Sequence, residues 1–335
     1  MSAAHPSQAR VRPHGRALPL RAGTRGSPLA LWQTRFFLAR LATFCPVLRA
    51  PLFDAQAVFE EHVIRTTGDA TQAAGTRLAD IGGKGLFSKE IHEALADGRI
   101  DFAVHSLKDL ETLLPDGIVL ACTLTRADAS DALILPPGTQ TGADPYAALA
   151  HGAVVGTSSV RRQAQLLHAR PDLRIGAIRG NVGTRLGRVK SGDFAATLLA
   201  LAGLKRLGLE HEASVVLDTE LMVPAAGQGI VGVTVRAADA ELRELLAAIE
   251  DPAARAVATA ERALLASLDG SCRTPIGGHA RLGPDGVLRL TGLVARADGS
   301  FLLKRSIAGP AADAARLGAE LGSSLRADSP ADLFA

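Results

Sequence analysis

Short apolar runs of strand length, bounded by turn residues, alternate along most of the chain with segments that read as helices. The strand-like runs fall at Ala17–Ala22, Gln56–Thr66, Ile100–Val104, Gly117–Leu124, Ala153–Gly156, Arg174–Ile178, Phe194–Leu201 and Val231–Val235. Between them, helices are predicted from Pro28 to about Leu41, over Ser88–Asp97, from Arg161 onward, and again up to about Lys190. Ser27 and the Thr157-Ser158-Ser159 run can cap, and Pro28 fits a first helical turn. Strands feeding helices in this way predict an open α/β architecture. After Asp239 the pattern changes. Two helices, Asp239–Glu250 and Asp251–Leu268, precede strands at Gly278–Leu282, Val287–Arg296 and Phe301–Ile307. Pro284-Asp285-Gly286 and Asp298-Gly299 supply the turns, and a helix near Ala311–Leu325 closes a small α+β domain.

At 335 residues the chain exceeds one ordinary core and should form two or three domains. Its 47% hydrophobic and 21% charged content is that of a soluble globular protein. A net charge of +3 gives no reason to expect nucleic-acid binding. Only 6 of the 37 basic residues are lysines, and arginine's planar fork suits paired contacts with carboxylate or phosphate. Cys45, Cys122 and Cys272 form no CxxC and no zinc spacing, and their odd number argues for a reducing compartment. Residues 1–17 read as a disordered polar tail without the apolar core of a signal peptide, and no run is long enough to span a membrane. A cytoplasmic protein is the expectation.

The chemistry gathers first at Ile100–Asp109. Its apolar half reads as a buried strand, and His105, Ser106, Lys108 and Asp109 sit where that strand should emerge. In open α/β sheets ligands bind at the carboxyl ends of strands, although a strand running out into solvent would look the same. The layout recurs, which decides the matter. Arg25 lies beside a helix N-terminus after Gly23-Thr24, and Arg161-Arg162 occupy a helix's first turn, where they oppose the macrodipole unless an anion is present. Arg179, Arg185 and Arg206 sit at further strand-to-helix junctions. Together they describe a cleft for a ligand bearing several carboxylates or phosphates.

Two glycine motifs exclude more than they assign. Ile81-Gly82-Gly83-Lys84-Gly85-Leu86-Phe87 lacks the spacing of a nucleotide P-loop. Gly227-Gln228-Gly229-Ile230-Val231-Gly232 matches GxGxxG, but a strand follows it rather than a helix, so a glycine crossing between lobes fits better than a dinucleotide site. Cys45 and Cys122 read as buried small hydrophobes. Cys272, in a polar loop beside Arg273, is either that or an accessible nucleophilic thiolate.

The segments IGGKGLF, AVHSLKD, GTSSVRRQAQL, IRGNVGTRLG, AGLKRLGL, PAAGQGIVG and GSCRTPIGG occur in an order and spacing that closely resemble the porphobilinogen deaminase (hydroxymethylbilane synthase) family. GTRGSPLALWQ at Gly23–Gln33 belongs to the same likeness, which runs from about Leu18 to the C-terminus. The resemblance implies two periplasmic-binding-protein-like α/β lobes with a central cleft, plus a small C-terminal α+β domain. The first lobe would comprise 18–125 and 225–248, the second 126–224, and the C-terminal domain 249–335. It implies a transferase that joins four porphobilinogens head to tail, releasing ammonia at each step, on a covalent dipyrromethane primer. The primer's cysteine matches Cys272 and the catalytic aspartate matches Asp109, with Lys108 holding Asp109 ionised or pairing a substrate carboxylate. Primer contacts would come from Lys84, Asp109, Ser159, Arg161, Arg162, Arg179 and Arg185. Substrate contacts would come from Arg25, Ser27, Phe87, Arg179, Arg185, Arg206 and Gln228, the last near the hinge. No metal, nucleic acid or membrane is implied, and a monomer is expected.

Four positions depart from the family pattern: Leu110-Glu111 stands where valine-proline is common, Asp80 where lysine is frequent, and Thr67 where a basic residue is frequent. Glu111 would add negative charge beside Asp109 and loosen the backbone. Two other function classes remain for comparison. A two-lobed binding protein for a small polyanion would need neither Asp109 nor an accessible Cys272, and a NAD enzyme would rest on the misplaced glycine motif alone.

Overall fold

The computed structural model describes residues 18–44, 58–70, 85–268 and 274–334. The chain begins with β1 (Leu20–Thr24), α1 (Pro28–Phe44), β2 (Phe59–Val63), α2 (Lys89–Ala96), β3 (Phe102–Ser106) and β4 (Ile118–Thr123). It then crosses into a second lobe: β5 (Asp131–Ile134), β6 (Val154–Gly156), α3 (Val160–Ala169), β7 (Arg174–Gly176), α4 (Val182–Lys190), β8 (Ala196–Ala200), α5 (Leu201–Arg206) and β9 (Val215–Val216). A return crossing leads to β10 (Val231–Arg236) and α6 (Ala240–Ala247). The last part holds α7 (Pro252–Ser267), β11 (Ile276–Leu282), β12 (Val287–Ala295), β13 (Leu302–Pro310) and α8 (Ala314–Ala327).

The two lobes repeat one plan. The first sheet runs β2-β1-β3-β10-β4 and the second β7-β6-β8-β5-β9. In each, the second strand from one edge is antiparallel to both neighbours, and in each it is a strand entered by a crossing from the other lobe. The periplasmic-binding-protein-like architecture expected from the sequence is therefore present. Its consequence for function is that both crossings, 124–130 and 217–230, pass between the lobes beside the carboxyl end of β3.

Burial explains why each lobe holds its shape. Under the first sheet Leu20, Phe37, Leu41, Phe102 and Val233 form one cluster, with the Phe37 and Phe102 rings edge-to-face at 5.6 Å. Each such side chain contributes about 1.5–3 kcal/mol by leaving water. The second lobe has its own cluster around Leu133, Leu166, Leu198 and Met222. In the last domain α7 and α8 pack together on the three-stranded sheet through Leu264, Leu290, Leu321 and Leu325. This domain bonds to both lobes: Arg262 donates to the Glu111 and Thr112 carbonyls at 2.8 Å, and Gln163 donates to the Ala297 carbonyl at 2.9 Å.

The predicted elements survive with small shifts, and β5, the short α5 and the two-residue β9 are added. Arg126–Asp131 is not merely a polar crossing, because Asp131 already begins β5, a strand in the interior of the second sheet. Leu201–Arg206, whose last residues follow the predicted strand, is a short helix. β3 also continues past Val104, since His105 and Ser106 still pair with Gly232 and Val231.

Candidate active site

Asp109 stands at the end of a single 3₁₀ turn, Leu107–Asp109, that leaves the carboxyl end of β3. The turn is fixed from below. The Leu107 amide donates to the Ile230 carbonyl at 3.0 Å, and Leu107 and Leu110 are buried on either side of the aspartate. Gly227, at φ +75°, lies against it: a Cβ there would sit 2.9 Å from Leu107 Cγ and 3.0 Å from the Lys108 nitrogen. Gly229, at φ +87°, presses on the Ala127 carbonyl in the same way. The GxG pair therefore serves left-handed backbone and close approach at the crossing, as the sequence suggested, and leads into the strand β10 rather than a helix.

The first lobe supplies one wall. Arg25, Ser27, Gln33, Phe87, His105, Ser106 and Asp109 line an open pocket. The Arg25 guanidinium is forked onto Asp69 (2.5 and 3.2 Å), lies 4.2 Å from the Phe87 ring centroid, and comes within 3.9 Å of an Asp109 oxygen. Burial pushes the Asp69 carboxyl up, but Arg25 outweighs it and the group ends below its ordinary value. Ser27 Oγ accepts from the Ala30 amide at 3.3 Å, the capping contact its position predicts. Ser106 is bonded to Gln33 at 2.9 Å. His105 faces inward, with Nε2 2.9 Å from Thr234 Oγ1; burial, then His92 and Arg25, draw it down to about 3, so it stays neutral. Of the polar residues that end β3, Asp109 is the exposed one.

The second lobe supplies the cations. Ser159 caps α3, accepting from the Arg162 amide at 3.4 Å. Arg161 and Arg162 turn inward, and the anion that offsets their unfavourable place in the first turn belongs to the chain itself. Asp131 accepts from Arg161 at 2.7 Å and from Arg162 at 2.6 Å, and is wholly buried. Arg161 also donates to the Val223 carbonyl and Arg162 to the Leu198 carbonyl, while the Nε of each is buried with no partner among the described residues. Arg179 donates across the cleft to the Gly68 carbonyl at 3.3 Å. Arg185 donates to the Gly180 carbonyl at 3.0 Å; burial and then Arg162 bring it down to about 10, against the pull of Asp109. Arg206 donates to the Gly229 carbonyl at 2.7 Å, lies 6.0 Å from the Trp32 ring centroid, and is drawn down to about 10 by burial.

The crossings tie these walls together. Gln228, expected among the substrate contacts, is fully buried: its Nε2 donates to Asp131 and the Ala129 carbonyl, and its Oε1 accepts from Lys108 Nζ at 3.2 Å. Its amide has no open face, so it belongs to the hinge rather than the ligand surface. Lys108 accordingly leans toward the crossing, not onto Asp109. Loss of hydration, then Arg162, draws it down to about 8 despite Asp109 and Asp131.

Lys84, Cys272, Cys45, Asp80 and the 1–17 tail lie outside the described residues. The loop carrying Cys272 is bracketed by Leu268 and Ile276, which share one core cluster with Leu107 and Leu110. Cys122 is buried, and burial pushes its thiol up to about 12, in keeping with a packing role. Sequence reasoning missed Asp69, Asp131 and His92. Asp131 had a signal: a carboxylate heading the apolar run Ala132–Leu135 must find a partner once buried. Glu111 does not crowd Asp109 with a solvated charge, for it is largely buried with Oε2 3.6 Å from His92 Nδ1. Thr67 binds Glu90 through its amide at 2.9 Å.

The donor set suits an acid-decorated ligand. Among the described residues Arg185 and Arg206 have no carboxylate partner, and Arg161 and Arg162 share the single carboxylate of Asp131. Residues 20–244 match the family model "Porphobilinogen deaminase, dipyromethane cofactor binding domain", and residues 256–327 match "Porphobilinogen deaminase, C-terminal domain". A porphobilinogen deaminase of Paracoccus denitrificans is 48% identical over 316 residues, covering 94% of this chain and 96% of that one. One from Nitrobacter winogradskyi is 46% identical, covering 91% and 92% respectively. The chloroplastic protein of Oryza sativa is 45% identical, covering 87% of this chain and 78% of its own.

Proposed function

The chain belongs to the porphobilinogen deaminase family, and from that premise we propose how its residues divide the reaction. The enzyme is a transferase of tetrapyrrole biosynthesis that joins four porphobilinogens into hydroxymethylbilane on a dipyrromethane cofactor. When bound, that cofactor supplies the pyrrole end onto which incoming units are joined. Cys272 is its tether in this reading, supported by the match of GSCRTPIGG and by the common core that holds both ends of its loop and both flanks of Asp109.

Porphobilinogen carries an acetate and a propionate, and its activation expels ammonia to leave a cationic methylene-pyrrole. Asp109 stabilises that positive charge and takes a hydrogen bond from the pyrrole N–H, with the proton released at the joining carbon passing to it in turn. Arg25 cannot neutralise it fully, because Asp69 holds the other edge of that guanidinium. Phe87 offers a ring face to the substrate pyrrole beside Arg25. Arg179, Arg185 and Arg206 hold carboxylates of primer and substrate, each charge-assisted bond contributing about 1.5–3 kcal/mol. Arg161 and Arg162, expected as primer contacts, are instead buried on Asp131 and lend net positive charge from behind, while Ser159 and Lys84 complete the primer contacts.

The single observation that carries this reading is the convergence on Asp109 of Arg25, 3.9 Å away in its own lobe, and of Arg185 from the other lobe, which feels the charges of Asp109, Arg162 and Arg179. Asp109→Ala tests it. The variant should keep its fold and its covalent primer while turnover falls about a hundred- to thousandfold. Near-normal turnover would reject the assignment. No helix of the described residues is long and apolar enough to cross a membrane. A monomer in the cytoplasm, with no nucleic-acid partner, completes the proposal, supported by the small net charge.

A further inference from the structure

Building on the role given to Asp109, we propose that Gln228 and Asp131 are positioning residues that hold the Lys108 ammonium away from the neighbouring Asp109, leaving that carboxylate unneutralised for the cationic substrate. Lys108 and Asp109 are consecutive, and a lysine stem is long enough to fold back onto the next side chain. It does not do so. Among the described residues no carboxylate lies within 4.0 Å of Lys108 Nζ, which donates instead to Gln228 Oε1 at 3.2 Å.

The amide of Gln228 can point only one way. Its Nε2 donates to Asp131 Oδ1 at 2.9 Å and to the Ala129 carbonyl at 2.6 Å. Flipping it would set an N–H against the ammonium and an oxygen against two oxygens, around a side chain with no solvent exposure. Asp131 is in turn fixed by Arg161 and Arg162. The relay therefore runs from the second lobe's α3, through Asp131 beside one crossing and Gln228 on the other, to the catalytic turn of the first lobe. An apolar residue would fill the space of Gln228 without desolvating an amide, so the polar group has a use there.

That use is electrostatic. A carboxylate already paired with an ammonium offers less field to a developing cation. The charged groups facing Asp109 are Arg25, itself held by Asp69, and Arg185 from the second lobe, with neutral His105 in the same pocket. Those facing Lys108 are Arg161, Arg162, Asp131 and Asp109.

The test is kcat and KM across pH for Gln228→Met, Lys108→Met and the double variant, with melting curves and the mass of the loaded protein. In Gln228→Met, kcat should fall by up to roughly a hundredfold with KM little changed. The acid limb should also move to lower pH as the loosened ammonium settles on Asp109. The double variant should perform as Lys108→Met alone, because the harm comes through the ammonium. Additive losses, an unmoved acid limb, or a loss confined to KM would overturn the proposal. Should Gln228→Met not fold, Lys108→Met decides alone. An acid limb unchanged from wild type supports an ammonium already held away, and a limb raised in pH shows that it was paired with Asp109. Asp109→Ala run alongside separates the two claims: normal turnover there refutes the role of Asp109, whereas loss there with an unaffected Gln228→Met refutes only the positioning.

Discussion

Asp131→Asn should destabilise the enzyme more than any other charge-neutralising change in the cleft. The wild-type carboxylate has no solvent exposure and is shared by two guanidiniums at 2.6 and 2.7 Å and one amide at 2.9 Å. Burial alone would raise its pKa, but Arg161 and Arg162 hold it far below the usual carboxylate range. Asparagine keeps the shape and one acceptor, yet turns an N–H₂ toward one of two buried cations. Breaking a buried pair in this way costs about 3–5 kcal/mol, a large part of the roughly 5–15 kcal/mol that holds a typical domain. In a scanning calorimeter at pH 7 this corresponds to a midpoint lower by roughly 5–15 °C. The sign with pH is definite. A carboxyl whose folded pKa lies below its unfolded value contributes fully above the unfolded value, and the contribution disappears as pH falls through the folded one. The gap between variant and wild type should thus be complete near neutrality and close only in strong acid. A variant melting with wild type at pH 7, or a gap already gone at pH 5, would refute the buried clamp.

Two further outcomes are expected. Arg206→Leu should raise KM for porphobilinogen by roughly ten- to hundredfold, the worth of one charge-assisted bond, with Arg206→Lys recovering part; steady-state kinetics reads it, and an unchanged KM would remove Arg206 from the site. His105 stays neutral down to about pH 3, whereas an unfolded histidine protonates near 6.5, so wild-type stability should fall as pH drops between those values. His105→Gln should flatten that slope in acid-unfolding curves; an equal slope would mean that His105 charges freely in the fold.

The sequence showed strand ends well and partnerships poorly. The run Ile100–Val104 followed by polar residues marked the catalytic turn because burial leaves an unmistakable apolar signature, and Gly227 and Gly229 could be placed at a crossing from the strand that follows. β5 was hidden because its first residue is a charge, and because the strand beside it, β8, lies far along the chain. The arginines of α3 illustrate the same limit. Their conflict with the helix dipole called for an anion, but nothing local could say that Asp131 provides it. Lys108 likewise reads as Asp109's companion from adjacency alone, and only the fold of the return crossing turns it to Gln228.

The tether at Cys272 is the claim on which primer, cleft and Asp109 all depend, and intact mass tests it directly. Wild-type protein and Cys272→Ser would be made in a host that synthesises tetrapyrroles. Wild type should weigh one dipyrromethane more than its polypeptide, and Cys272→Ser should weigh the polypeptide alone and fail to turn over. A Cys272→Ser protein that carries the adduct, or a fully active wild type without one, would contradict it.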